Sequence, residues 1–251
     1  MAGSLAQAKR ELRKKIKHVL NQVSDAAAAS QTSNATKTLL ALPEYQAAQR
    51  ISVYLSMPAG EINTSSIVRD ALAGGKKVFI PYTYKLGEPQ AGQPKSVMDM
   101  LELRSMDDFE SLEPDGWGIP TPSKDSISTR ANCFGGSGIT HGQTRSSNDQ
   151  DTGLDLIVMP GMAFDSAFGR LGHGKGFYDY FLTRCHQASR MPFRGKNHWY
   201  SVCGGLTDHV EVGLSLTEQL LPPTESVPMG SSDFRLDALV TGDGSLRRAE
   251  S

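Results

Sequence analysis

From Asp155 to Leu182 the chain reads DLIVMPGMAFDSAFGRLGHGKGFYDYFL, and no other stretch restricts its fold as strongly. Leu156, Ile157, Val158 and Met159 form an apolar run that stops at Pro160-Gly161, the pattern of a buried strand that ends abruptly. Gly169, Gly172, Gly174 and Gly176 follow, with Arg170, His173 and Lys175 between them, and Phe177 to Leu182 then predicts the first turns of a helix. A strand, a glycine-rich turn carrying cations and a helix N-terminus make an anion site. Glycines let backbone N–H groups approach the anion, the helix end adds partial positive charge, and Lys and Arg add full charges. Phosphate is the anion that suits it. The Walker A spacing and the G-x-G-x-x-G fingerprint are both absent, so an isolated GHGKG divides evenly between a phosphate cradle and a plain glycine-rich connection.

The rest of the chain supplies the context. Ala8, Leu12, Ile16, Val19 and Val23 recur at helical spacing, predicting an amphipathic helix from about Leu5 to Val23 with Lys9, Arg10, Arg13, Lys14 and Lys17 on its other sides. Those cations admit three readings: a solvated face, a mitochondrial presequence, or a pair (Lys9 and Arg13, neighbours on one face) that holds an anion. Spacing alone favours the solvated face. Ser24-Asp25 caps a second helix that runs toward Leu42 and stops at Pro43. RISVYLSM (Arg50 to Met57) predicts a strand, Glu61 a short loop, Thr64 or Ser65 the cap of a helix to Ala73, and KVFIP (Lys77 to Pro81) the next strand.

This strand-loop-helix-strand succession implies an α/β fold: a central, mostly parallel sheet flanked by helices, Rossmann-like and three-layered. Further strands are expected at Met98 to Leu103, Tyr200 to Leu206 and Leu236 to Val240. Ligands of such sheets sit beyond the carboxyl ends of the strands, where Glu61 and the glycine turn both fall.

A chain of 251 residues suffices for one large domain or two small ones, and a single domain over 1–251 is the expectation. Ser, Thr, Gly, Asn and Gln dominate from about 125 to 153, which reads as a mobile surface insertion with His141 as a solvated loop histidine. A second polar insertion is expected at 190–199. Balanced charge, 26 Lys+Arg against 27 Asp+Glu, gives no global attraction to nucleic acid. No apolar run approaches a membrane span and no secretory signal is evident, so a cytoplasmic location without membrane partners is expected, a mitochondrial one staying open. Cys133, Cys185 and Cys203 lack zinc or C-x-x-C spacing and read as reduced packing thiols.

Taken together, the chain resembles the 5-formyltetrahydrofolate cyclo-ligase (5,10-methenyltetrahydrofolate synthetase) family. AKRELR (Ala8 to Arg13), RISVYLSMPAGEI (Arg50 to Ile62), DLIVMPGMAFD (Asp155 to Asp165) and GRLGHGKGFYDYFL (Gly169 to Leu182) carry the match in the family's order. WGIPTP (Trp117 to Pro122) and DFRLDALVT (Asp233 to Thr241) extend it. The resemblance implies a ligase of one-carbon metabolism, in which ATP phosphorylates the formyl oxygen of 5-formyltetrahydrofolate and N10 closes the ring with loss of phosphate. It implies ATP and the formyl folate, with or without a polyglutamate tail, as partners, Mg2+ as cofactor, and a monomer. By the same resemblance, Lys9, Arg10 and Arg13 bind ATP, as do Arg170, Leu171, Gly172, His173, Gly174, Lys175, Gly176, Phe177 and Tyr178. Lys175 and Arg170 are the catalytic cations; Asp179 and Asp233 are the magnesium carboxylates. Leu55, Glu61 and Trp117, with His173, Gly174, Lys175, Gly176 and Phe177, contact the folate.

This reverses the solvated-face reading of the first helix. Taken alone, Glu61 is an ordinary loop acid, Asp179 a first-turn carboxylate favouring the helix dipole, and Asp233 a turn aspartate; Tyr178 divides between stacking and capping the core. His173 stands where relatives often carry Arg or Tyr, Phe177 where many carry Tyr, and the stretch after Pro81 is longer than the family's. These departures support an alternative: a non-catalytic ATP- or folate-binding module on the same fold. A small-metabolite kinase is a weaker alternative, and RNA binding through the first helix the weakest.

Overall fold

The computed structural model describes residues 2–89, 93–143, 152–189 and 209–249. In chain order its elements begin with α1 (Ala2–Leu20), α2 (Asp25–Leu40), α3 (Pro43–Ala47), β1 (Arg50–Val53), α4 (Ser65–Ala73), β2 (Lys77–Lys85) and β3 (Ser96–Leu103). The short α5 (Met106–Glu110), β4 (Glu113–Pro114), β5 (Pro120–Thr121) and α6 (Lys124–Ile127) follow. Then come β6 (Leu156–Met159), β7 (Ala163–Phe164), β8 (Arg170–Leu171), α7 (Phe177–Ser189), β9 (Val210–Ser215), β10 (Ala238–Thr241) and β11 (Leu246–Arg248).

A 7-stranded sheet in the order β11-β10-β9-β6-β1-β2-β3 forms the centre. Strands β10, β9, β6, β1 and β2 are mutually parallel, while β3 and β11 close the two edges antiparallel. Strand alternation sorts the apolar residues into two layers. Ile51, Val53, Leu156 and Val158 meet Ala35 and Leu39 of α2 and Ile67, Val68 and Ala71 of α4. Ile157, Met159, Phe79 and Leu239 meet Phe181, Leu182 and Cys185 of α7 on the opposite face. The mostly parallel three-layer α/β architecture is as expected.

The predicted elements differ in detail. Ser24 accepts the Ala27 N–H at 3.2 Å and caps α2, but β1 ends at Val53 rather than Met57. Strand β2 instead runs on to Lys85 and pairs with β3 from Val78 to Lys85. Strand β9 carries no clear strand pattern in the sequence, because Glu211 and Gly213 interrupt its apolar run. Gly213 is required there: a Cβ would stand 2.5 Å from Leu236 Cδ1 and 3.0 Å from Phe164. The strand expected at Tyr200 to Leu206, with Cys203, lies outside the described residues, as does the insertion expected at 190–199.

The polar segment after residue 124 is folded rather than mobile over its described part. Asp99 of β3 sits at its centre, wholly buried, and accepts from Thr140 N at 2.6 Å, Asn132 Nδ2 at 3.2 Å and Arg184 Nη1 at 2.8 Å. Arg184 of α7 also reaches Thr140 Oγ1 at 2.6 Å, and buried Arg130 forks onto Asp108 at 2.7 and 2.6 Å. Polar residues that satisfy one another do not need an apolar core to become ordered. His141 is exposed, as expected of a loop histidine, at an edge-on 6.5 Å from the Tyr84 ring.

Candidate functional site at the strand carboxyl ends

The loops after β1, β6 and β9 converge at the carboxyl ends of the parallel strands. Beyond β6 the chain turns through the β7–β8 hairpin, which Asp165 organises. Its buried carboxylate accepts three backbone N–H groups, from Ala167 at 2.9 Å, Gly169 at 2.8 Å and Val227 at 2.8 Å. Gly169 allows this close approach, since a Cβ there would lie 2.8 Å from an Asp165 oxygen. The hairpin delivers Arg170 to the cleft. Its buried guanidinium reaches Pro160 O and Asp179 Oδ1, each at 3.3 Å, and lies 5.3 Å from the centroid of the Tyr178 ring.

Helix α1 covers this turn. Its apolar stripe, Leu12 and Ile16, packs with Met162, Ala163, Leu171, Leu221 and Val227. That packing fixes which way the other face points. Arg13 Nε donates to Gly172 O at 2.7 Å, and the Lys9 ammonium reaches both oxygens of Asp233, at 2.6 and 2.5 Å. Gly174, at φ +95°, leaves room for the Arg13 guanidinium, whose Cζ would stand 3.2 Å from a Cβ there. A cleft of about 270 Å³ results, lined by Ala6, Lys9, Arg13, Arg170, Leu171, Gly172, Gly174, Gly176, Asp179 and Asp233. The glycine turn and the first helix therefore form one surface, and the solvated-face reading of α1 fails for Lys9 and Arg13. It holds for Arg10, which is exposed and does not line the cleft.

A second group of residues adjoins the turn. Glu61, whose side chain is 6% exposed, accepts the Met57 N–H at 3.0 Å through one oxygen and meets His173 Nε2 at 3.1 Å through the other. The Tyr54 hydroxyl donates to Ile62 O at 2.8 Å and shapes this loop. The Tyr178 hydroxyl is buried without a hydrogen-bond partner among the described residues; burial pushes its pKa up, Arg170 opposes the shift and Glu61 adds to it. Its ring packs against both core layers, so it caps the core while its hydroxyl faces charged groups. Trp117, 67% exposed, sits in the β4–β5 turn, where a Cβ on Gly118 would meet Pro58 of the Glu61 loop at 2.7 Å. Leu55 is a core side chain, 5% exposed, with little surface to offer a ligand.

Lys175 is exposed at the tip of the turn, without a hydrogen-bond or ion-pair partner among the described residues. Phe177 packs against the core layer under α7. Asp179 opens the first turn of α7 and gives one oxygen to Arg170, the other having no partner among the described residues. That donor set fits a hard divalent cation, which takes one or two carboxylates and completes its shell with phosphate oxygens and water. Asp233 fits less directly, since Lys9 and the Gly230 N–H occupy it.

Sequence reasoning missed Gln219. Its side chain is 1% exposed and donates from Nε2 to Gly161 O at 2.6 Å and Gly60 O at 3.2 Å, while Oε1 accepts the Leu216 N–H at 2.8 Å. One amide thus ties together the loops after β1, β6 and β9. An isolated Gln in TEQLL gives no signal of that role.

Comparison with known proteins bears on this site. Residues 5–242 match the family model described as the 5-formyltetrahydrofolate cyclo-ligase family. A probable 5-formyltetrahydrofolate cyclo-ligase of Schizosaccharomyces pombe is 30% identical over 239 residues, 95% of this chain and 97% of that protein. The 5-formyltetrahydrofolate cyclo-ligase of Mus musculus is 29% identical over 244 residues, 96% of this chain and 97% of its own. In fold, the chain is similar to the NMR structure of Aquifex aeolicus 5,10-methenyltetrahydrofolate synthetase, with a TM-score of 0.60 at 22% identity, covering 97% of this chain and 93% of that one.

Proposed function

The chain belongs to the 5-formyltetrahydrofolate cyclo-ligase family, and from that premise we propose how its cleft performs the reaction. The protein is an ATP-dependent ligase that converts 5-formyltetrahydrofolate to 5,10-methenyltetrahydrofolate, with ADP and phosphate as the other products. The chemical obstacle is the amide-type formyl oxygen, a poor leaving group. Transfer of the γ-phosphoryl group to that oxygen makes an imino-phosphate; N10 then bonds to the formyl carbon and loses its proton, the C–O bond breaks, and phosphate carries the oxygen and the proton away. Phosphoryl transfer of this kind is catalysed chiefly by positioning and by charge on the migrating oxygens.

The observation that carries this reading is the single cleft in which Lys9, Arg13 and Arg170 face Asp179 and Asp233 around the glycine turn. Arg13 and Arg170 are held by backbone carbonyls and carboxylate, and so are preorganised to receive phosphate oxygens. Lys175, exposed at the turn's tip, swings onto the transferring group. Magnesium, when bound, would neutralise phosphate charge; Asp179 would hold it, with Asp233 as a second carboxylate if Lys9 gives it up for a phosphate.

The folate binds on the Glu61 side. Glu61 releases His173 and accepts from the donor edge of the pterin, Trp117 stacks on an aromatic ring, and the buried Tyr178 hydroxyl supplies a donor where the two substrates meet. Helix α1 belongs to the working protein, because removing it as a presequence would take one wall of the cleft with it.

The decisive experiment mixes purified protein, MgATP and 5-formyltetrahydrofolate and follows the ultraviolet absorbance of the methenyl product. Signal growth that requires both substrates is expected. Tight ATP binding with no turnover would instead establish the non-catalytic module.

A further inference from the structure

A second cluster of coordinating groups lies at the other end of the sheet. Val210 at the start of β9 pairs with Leu156 at the start of β6, whereas the cleft opens beyond Met159 at the end of β6. Beside that start stand Glu211 of β9, His209 just before it, and His186 in the last turn of α7. One ligand atom from each lies within 4.8 Å of the others. Glu211 Oε1 is 3.4 Å from His209 Nε2 and 3.7 Å from His186 Nε2.

We propose that His186, His209 and Glu211 bind a zinc ion that fastens the end of α7 to the start of β9. Around a tetrahedral zinc with bonds of ~2.0–2.1 Å, ligand atoms stand roughly 3.3–3.4 Å apart, so closure of this cluster requires movements of only a fraction of an ångström to about 1 Å. Two imidazoles and a carboxylate are donors that this borderline ion accepts, and they leave a fourth position for water or another donor.

Two further observations point to a ligand rather than to simple packing. His186 Nε2 and Glu211 Oε2 are buried and have no hydrogen-bond partner among the described residues, an arrangement that is costly unless something satisfies them. Neighbouring groups also hold the cluster in place. Asp237 Oδ2 accepts the Glu211 N–H at 2.8 Å and fixes that backbone, and the Phe234 ring meets the His186 ring edge-on at 4.9 Å.

The site is independent of catalysis, so its test does not rest on turnover. Full-length protein stripped with chelator is titrated with ZnCl2 by calorimetry, with MgCl2 as control, and its melting temperature is followed. One zinc per chain is expected, with a rise in melting temperature that MgCl2 does not reproduce. His186→Ala and Glu211→Gln should each weaken zinc binding by more than about 100-fold, beyond the loss expected for an outer-shell partner. Cobalt(II) added to the unsubstituted protein guards against variants that fail to fold: d–d bands without thiolate charge transfer are expected. No zinc uptake, uptake unaffected by both substitutions, or thiolate charge-transfer bands would each overturn the assignment.

Discussion

Lys9 and Asp233, 224 positions apart in the chain, hold each other with the ammonium 2.6 Å from one carboxylate oxygen and 2.5 Å from the other. Both are assigned to MgATP, so nucleotide binding exchanges this ion pair for lysine on phosphate and carboxylate on metal. Lys9→Ala should raise the KM for ATP about 10- to 100-fold, the range of a charged hydrogen bond worth ~1.5–3 kcal/mol. Asp233→Asn should raise it less, and the double variant should exceed the sum of the two, because each single change also removes the ion pair that nucleotide binding has to break. Initial rates at varied ATP provide the measurement; strictly additive effects would sever the pair from nucleotide binding.

Lys175→Ala should lower kcat about 100- to 1000-fold, as the removal of one preorganised charge-stabilising donor does elsewhere. The exposed side chain has no hydrogen-bond or ion-pair partner among the described residues, so the melting curve should not move. Near-normal turnover would refute its role.

Asp179→Asn should shift the magnesium titration of activity to higher concentration. The carboxamide still accepts from Arg170 but no longer offers an anionic oxygen to the metal. An unchanged titration would take Asp179 out of the metal site.

How far these residues were legible in the chain depends on where their partners lie. The strand, glycine turn and helix from Asp155 to Leu182 announce themselves because apolar run, glycines and helix onset are contiguous. Leu12 and Ile16 show a stripe at helical spacing, but nothing local says that the stripe packs on Leu171 and so aims Lys9 and Arg13 inward. Strand β9 escaped notice because Glu211 and Gly213 answer to neighbours from α7 and from Phe164 and Leu236 rather than to strand alternation. The segment after residue 124 misled for the opposite reason. Its polar composition matches a solvated loop, yet Asn132 and Thr140 are buried against Asp99.

Gln219→Leu tests the amide that ties the three crevice loops. Leucine keeps most of the volume but leaves the Gly60 and Gly161 carbonyls and the Leu216 N–H unsatisfied, so stability should fall by about 1–3 kcal/mol for each group that stays buried. The kcat/KM for both substrates should fall with it, as the glycine turn loosens. Denaturant unfolding and steady-state kinetics on the same preparation check the pair of effects; intact kinetics would show that the loops are positioned by other contacts.

Arg184→Met should destabilise the fold by about 3–5 kcal/mol, because it strands the wholly buried Asp99 carboxylate. Adding Asp99→Asn should recover part of the loss. Guanidinium unfolding of the three variants decides it, and a neutral Arg184→Met would mean that solvent reaches Asp99.

Contact between Lys9 and Asp233 also dates the cleft within the life of the molecule. During synthesis the first helix leaves the ribosome long before the segment that carries Asp233, and until then no complete nucleotide site exists. ATP that binds only the finished fold adds stability according to its concentration over its Kd. On the proposed reading, ATP stabilises only those chains whose two distant segments have met.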